Sequence, residues 1–155
     1  MKKRILGMIL AGAAGAVALT GCIGGGSEAI DEKTATLKPG VYTGQSSEND
    51  DEDGGGYATV KLTIGENNTI AECDFETFEK NGKSKYTEDY GKINGQTSNK
   101  AYYEKAQKAI EASKGYAQQY LQTQSLSEVD AVSGATISYN QFTEAVQSAL
   151  QKAAQ

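Results

Sequence analysis

The chain has 155 residues, of which 38% are hydrophobic and 23% charged, and its formal net charge is -5. This length holds one modest domain, and the composition is ordinary for a soluble fold. The negative charge, with no basic patch, argues against a nucleic-acid partner. Histidine is absent and there are 2 cysteines, which excludes histidine-based zinc sites, Ser-His-Asp triads and haem attachment through C-x-x-C-H.

Residues 1–21 have the layout of a lipoprotein signal peptide. A basic start at residues 2–4 precedes an apolar or small run at residues 5–19, which is shorter than the ~20 residues of a membrane-spanning helix. The run ends in Leu19-Thr20-Gly21-Cys22, which resembles the lipobox of bacterial lipoproteins. That resemblance implies cleavage before Cys22 and attachment of lipid, including palmitate, to its thiol. The alternative is an ordinary signal peptide followed by an incidental cysteine.

The segment after Cys22 predicts a tether. Residues 23–27 are mostly glycine and serine, and polar residues continue to Lys38. Such a composition offers no apolar face to bury, so residues 22–38 are expected to form a lipidated, flexible connection and residues 39–155 the folded domain. The domain would then lie at the outer face of a cell membrane.

The first half of the domain predicts an antiparallel sheet. Val41–Gly44 is a short strand by composition, and Tyr57–Ile64 alternates apolar and polar residues as a half-buried strand does. After a turn at residues 65–68, the returning strand is expected to place Ala71, Cys73 and Phe75 inward. The Asn81-Gly82 pair is a further hairpin signal.

The second half predicts two helices. Apolar residues recur at helical spacing from about Lys100 to Leu121, although Gly115 weakens that pattern. Ser138 and Gln141 have the spacing of a capping box, which predicts that the last helix begins at Ser138. Its expected buried stripe is Phe142, Ala145, Val146, Ala149, Leu150 and Ala153. The fold class is therefore α+β, a small antiparallel sheet with helices packed on one face.

The segment before the last helix carries the most specific signal. Asp130-Ala131-Val132-Ser133-Gly134-Ala135-Thr136 resembles the flavinylation motif of the FMN-binding domain family, and the resemblance extends from about Pro39 to the C-terminus. It implies that a flavin transferase uses FAD and magnesium to place FMN on Thr136 through a phosphoester bond. The recognised surroundings would be Asp130, Ser133, Gly134 and Ala135. The alternative is a polar turn leading into a helix.

The physical chemistry of the same segment fits an anion. A helix N-terminus offers N–H groups and a partial positive charge that favour a phosphate, and Gly134 lets the backbone turn closely around it. Threonine without a neighbouring base is a poor nucleophile, and the chain has no histidine, so another enzyme must attach the cofactor. By resemblance, Glu76 and Thr77 would lie near the isoalloxazine ring, although the Pro-Gly that often follows them in the family is missing. Three tyrosines could stack on the ring or belong to the core: Tyr86, Tyr90 and Tyr103.

The expected function is electron transfer outside the cytoplasm. FMN accepts two electrons and releases them singly, and a membrane oxidoreductase or quinol is the expected donor, with extracellular acceptors. No residue is singled out as a substrate-specific acid or base, so a carrier is favoured over a flavin reductase. The remaining alternative is a non-redox surface lipoprotein that binds a small ligand or a protein partner. No metal site is expected, because Val60 occupies the position where a calcium loop starting at Asn49 needs its glutamate.

Overall fold

The computed structural model describes residues 28–50 and 55–155, so the predicted signal peptide, Cys22 and the acidic residues 51–53 lie outside it. The strands are β1 (Gly40–Gln45), β2 (Tyr57–Ile64) and β3 (Ile70–Phe78). The helices are α1 (Lys100–Thr123) and α2 (Thr136–Ala153), and short 3-10 turns occur at Glu66–Asn68 and Leu126–Glu128. Among the described residues, no helix is both long and apolar enough to cross a bilayer.

The sheet is antiparallel with strand order β1-β2-β3, which confirms the predicted α+β class. The alternating residues Ala58, Val60, Leu62 and Ile64 all lie in the core, as the period of the strand predicts. On β3, Cys73 and Phe75 are buried but Ala71 is exposed, so its inward placement was wrong. The pairing shifts register between Thr63 and Ile64, and this irregularity changes which face the first residues of β3 occupy.

Helix α2 packs across β1 and β2, and α1 packs beside β3 and against α2. The two helices meet the sheet around one aromatic cluster. The rings of Phe75 and Phe142 are 4.9 Å apart in an edge-to-face arrangement, and Tyr116 and Tyr120 contact Phe142 from α1. The whole predicted stripe of α2 is buried, so the core lies between the helices and one face of the sheet.

Helix α2 begins at Thr136, earlier than the capping-box pattern predicts. Its N-cap is Ala135, and no side chain caps it. Ser138 lies within the first turn, and the amide of Gln141 instead donates to the Gly56 carbonyl at 2.7 Å. The predicted cap is therefore wrong, because the contact with Gly56, just before β2, takes the side chain that the capping box needs.

Residues 28–38 differ from the predicted tether, because they pack on the domain. The Gln147 amide both accepts from the Ile30 N–H and donates to the Ile30 carbonyl. Glu32 is buried and its carboxylate accepts from the Tyr120 hydroxyl at 2.7 Å and from the Leu126 N–H at 3.2 Å. Leu37 is also in the core. We call residues 28–38 the strap.

The Asn81-Gly82 turn is present. The Glu79 N–H donates to the Lys83 carbonyl at 2.8 Å, and Gly82 has a φ of +81°. The chain returns along β3 only briefly, and the Lys85 N–H donates to the Thr77 carbonyl at 2.8 Å. This short return fixes Lys85 between β3 and the start of α2.

Candidate functional site

The predicted motif forms a tight turn at the entrance to α2. The Ala135 N–H donates to the Val132 carbonyl at 3.0 Å, which closes a four-residue turn with Gly134 in its third position. Gly134 has a φ of +85°, the value that a type II turn requires there and that favours glycine. A Cβ at Gly134 would meet nothing within 4 Å. The glycine is therefore needed for backbone conformation, and the space above it stays open.

A buried tyrosine holds this turn in place. The Tyr116 hydroxyl accepts from the Val132 N–H at 3.2 Å and donates to the Ala135 carbonyl at 3.3 Å. Burial raises the pKa of Tyr116, which favours the neutral hydroxyl that the bond to the Ala135 carbonyl needs. The sequence analysis did not identify Tyr116, since its spacing in α1 is equally that of a core residue. Only the three-dimensional contact reveals its role.

Thr136 is exposed and is the first residue of α2. The first N–H groups of a helix have no partner within the helix, and here no side chain of the N-cap residue accepts from them. The partial positive charge at this end favours an anion. A phosphate on the Thr136 hydroxyl would lie at the helix N-terminus, closer to its N–H groups than the predicted start at Ser138 allows.

A groove of about 230 Å³ opens beside Thr136. It has a basic component from Lys85 and Lys105 and an apolar one from Ala109, Ile110 and Ile137. The remaining lining residues are Tyr90, Gly134, Ala135, Thr136 and Ser138. A second groove of about 520 Å³ runs along α1 and shares Lys105, Ala109 and Gly134 with the first. The two grooves therefore adjoin at these shared residues, next to the motif.

Lys85 lies deep in the first groove. Lys85 is 3% exposed, and its ammonium lies 5.5 Å from the centroid of the Tyr90 ring. Burial lowers the pKa of Lys85 to about 8, against a smaller opposing effect from Glu79. At neutral pH the group is therefore mostly a buried cation.

Of the other predicted residues, Ala135 lines the first groove, whereas Asp130, Ser133, Glu76 and Thr77 do not. Ala135 is buried in the core, whereas Asp130 and Ser133 are exposed, and the Asp130 N–H donates to the Gln119 side chain at 3.1 Å. Glu76 is exposed and Thr77 fully buried, so the two lie on opposite faces of β3. Among the described residues, the Thr77 hydroxyl has no hydrogen-bond partner.

The three candidate tyrosines also separate. Tyr90 lines the groove. Tyr86 accepts from the Ser113 hydroxyl at 3.3 Å, and burial raises its pKa to about 12. The Tyr103 hydroxyl donates to the Glu88 carbonyl at 3.1 Å, and the ammonium of Lys92 lies over its ring. Tyr90 is thus the tyrosine whose position suits a contact with a bound ring.

The turn, the helix N-terminus and the groove bring together groups that suit a phosphorylated aromatic ligand. The family model of the FMN-binding domain matches residues 54–151. The chain therefore belongs to the FMN-binding domain family and is a flavin-binding protein. No curated protein and no solved structure matches it.

The residues present fit FMN. The open space above Gly134 and the uncapped start of α2 suit a phosphate. Lys85 and Lys105 supply positive charge, and Tyr90, Ala109 and Ile110 supply a partly apolar wall for a ring. The groove therefore offers cationic groups and N–H donors for a phosphate beside an apolar wall for an aromatic ring.

Proposed function

We propose that this protein carries FMN through a phosphoester to Thr136 and works as an electron carrier at the outer face of a membrane, held there by lipid on Cys22. The supporting observation is the position of Thr136, which is an exposed hydroxyl at a helix N-terminus beside a groove lined by lysines. The order of residues from Asp130 to Thr136 supports the same attachment.

An added enzyme is part of this proposal. Among the described residues that line the groove there is no histidine or carboxylate that could activate the Thr136 hydroxyl. A flavin transferase therefore recognises the exposed turn, which projects Asp130, Ser133 and Gly134 to solvent. Tyr116 keeps the turn in one conformation for that enzyme.

The open position of the groove supports a role as an electron carrier. Bound FMN supplies two-electron uptake and one-electron release, and the residues of this chain bind and orient it. The site is a surface groove next to an exposed turn, so donor and acceptor can approach the cofactor. A membrane oxidoreductase or a quinol is the proposed donor, because the lipid anchor would keep the domain beside it.

Mass measurement tests the attachment. Protein produced together with a flavin transferase is expected to gain the mass of one FMN moiety and to fluoresce in a denaturing gel, whereas Thr136→Ala is expected to remain bare. Ser138→Ala is the matched control, since it removes a neighbouring hydroxyl that lines the same groove. It is expected to keep the flavin.

Other outcomes favour different functions. Bare wild-type protein in the presence of an active transferase would support the non-redox lipoprotein. Turnover that depends strongly on the structure of the acceptor would support a flavin reductase. A carrier is expected to reduce many acceptors of suitable potential at comparable rates.

A further inference from the structure

We propose that Lys85 is the cation that contacts the flavin ring and favours its reduced form. This inference rests on the proposed attachment at Thr136, since that bond fixes one end of the cofactor at the mouth of the groove. Lys85 lies in the same groove and is almost fully buried. The family match and the motif do not assign a role to it.

The division of charge within the groove assigns Lys85 to the ring. The phosphate of a modified Thr136 has the N–H groups at the start of α2 as donors, and Lys105 is an exposed cation near the same end. Lys85 lies instead beside the Tyr90 ring and among apolar residues such as Ile110. An aromatic heterocycle bound against these residues would lie beside the ammonium of Lys85.

A buried cation beside the ring changes the energy of reduction. Two electrons from the proposed donor and one proton from water convert the oxidised ring into an anionic reduced ring, which has one more negative charge. The ammonium of Lys85 attracts that charge, and its burial reduces screening by solvent. A cation near the ring nitrogens is a recognised means by which a protein tunes a flavin.

The burial of Lys85 is consistent with this role. Burial lowers the pKa of its ammonium to about 8, so at pH 7 the group is mostly charged but destabilised. A negative charge on the ring would raise that pKa again. Reduction, which adds that charge to the ring, is therefore expected to stabilise the ammonium of Lys85.

The test compares flavin-loaded variants at pH 7. Lys85→Met keeps the length of the side chain and removes its charge, and its potential is measured on the fraction whose mass shows FMN on Thr136. The equilibrium constant for its two-electron reduction is expected to fall at least tenfold, which lowers the midpoint potential by about 30 mV. Lys85→Arg keeps the charge, and its equilibrium constant for two-electron reduction is expected to stay within threefold of the wild-type value.

Lys114→Met is the matched control. The ammonium of Lys114 also lies over a tyrosine ring, at 5.6 Å from the centroid of Tyr86, but its side chain is 51% exposed. Its removal is expected to leave the potential unchanged. This comparison separates the loss of one buried cation from the loss of any lysine near an aromatic ring.

Several results would overturn the inference. A loaded Lys85→Met protein with the wild-type potential would do so, and so would a folded Lys85→Met protein that no longer accepts FMN, because Lys85 would then act on attachment. If that variant does not fold, the wild type decides: the pKa of the Lys85 ammonium, followed by nuclear magnetic resonance, must rise on reduction. Bare wild-type protein would instead refute the proposed function.

Discussion

Cys73 is a thiol whose reactivity is set by burial. Its side chain is 8% exposed in the core of β3, and burial, with a smaller effect of Asp74, raises its pKa to about 12. The thiolate is the reactive form. In Cys22→Ser protein, where Cys73 is the remaining cysteine, reaction with a thiol reagent at pH 8 is expected to be about a thousandfold slower than in denaturant. Absorbance of the released product measures both rates, and equal rates would contradict the burial.

The same pKa predicts a dependence of stability on pH. The pKa of Cys73 is higher in the folded state than its ordinary value of 9.0, so the folded state retains the proton longer. The stability contributed by this difference is fully present below pH 9 and is lost as pH rises toward about 12. Relative to Cys73→Ala, the wild type is expected to lose free energy of unfolding across that interval, as denaturant titrations would show.

The site residues that the sequence predicts are contiguous in the chain, whereas those that it does not predict are brought to the site by the fold. The residues from Asp130 to Thr136 are contiguous, so their order in the chain is enough to indicate a turn before a helix. Lys85 stands among polar residues, and its burial comes from contacts with β3, α1 and the start of α2. Sequence periodicity indicates which face of one element is buried and not which residues of other elements meet it, so it could not indicate Lys85 or Tyr116.

At the scale of elements, the crossing of β1 and α2 depends on one glycine. A Cβ on Gly44 would lie 1.9 Å from the Ala145 carbonyl oxygen and 2.6 Å from the Ala149 nitrogen. Both are backbone atoms, which cannot move aside without displacing the helix. Gly44→Ala is therefore expected to lower the free energy of unfolding by about 3 kcal/mol.

A glycine in α1 provides the control. A Cβ on Gly115 would meet nothing within 4 Å, and alanine favours a helix over glycine by about 0.5–1 kcal/mol. Gly115→Ala is expected to raise the free energy of unfolding by that amount. Denaturant titration followed by circular dichroism compares the pair, and similar losses in both would show that the close approach at Gly44 is not responsible.

The start of α2 shows why an element boundary is harder to predict than the element itself. The buried stripe from Phe142 to Ala153 repeats many times, so its period identifies the helix. The boundary depends on a few local residues such as Ser138 and Gln141, and the contact of Gln141 with Gly56, just before β2, overrides that local pattern. The helix consequently begins at Thr136, which places the proposed acceptor in the first turn.

At the scale of the whole molecule, the strap makes the folded unit larger than the sequence predicts. Polar composition suggested a tether as far as Lys38, but Glu32 finds its partners on α1 and at the 3-10 turn after it. Eight peptide steps then separate Cys22 from Ile30, which spans at most roughly 28 Å. With lipid on Cys22, the domain would stay close to the membrane, which favours a donor that lies in the membrane.

The strap also contacts the segment that leads into the motif. Glu32 accepts from the Leu126 N–H, and the chain from Leu126 continues directly into the turn that ends at Thr136. Protein that begins at Pro39 loses this bond and exposes the core that Leu37 covers. Relative to protein that begins at Glu28, its free energy of unfolding is expected to be lower by at least about 1.5 kcal/mol, since a buried leucine contributes about 1.5–3 kcal/mol.

Hydrogen exchange separates a general loss of stability from a specific link to the motif. In Glu32→Gln, which keeps the strap but weakens the bonds of its carboxylate, amides of residues 126–136 are expected to exchange faster while those of β2 keep their protection. Leu37→Ala is the control, because it removes core packing and leaves Glu32 intact. If Glu32→Gln changes exchange equally throughout the domain, the strap contributes stability alone and does not hold the turn that presents Thr136.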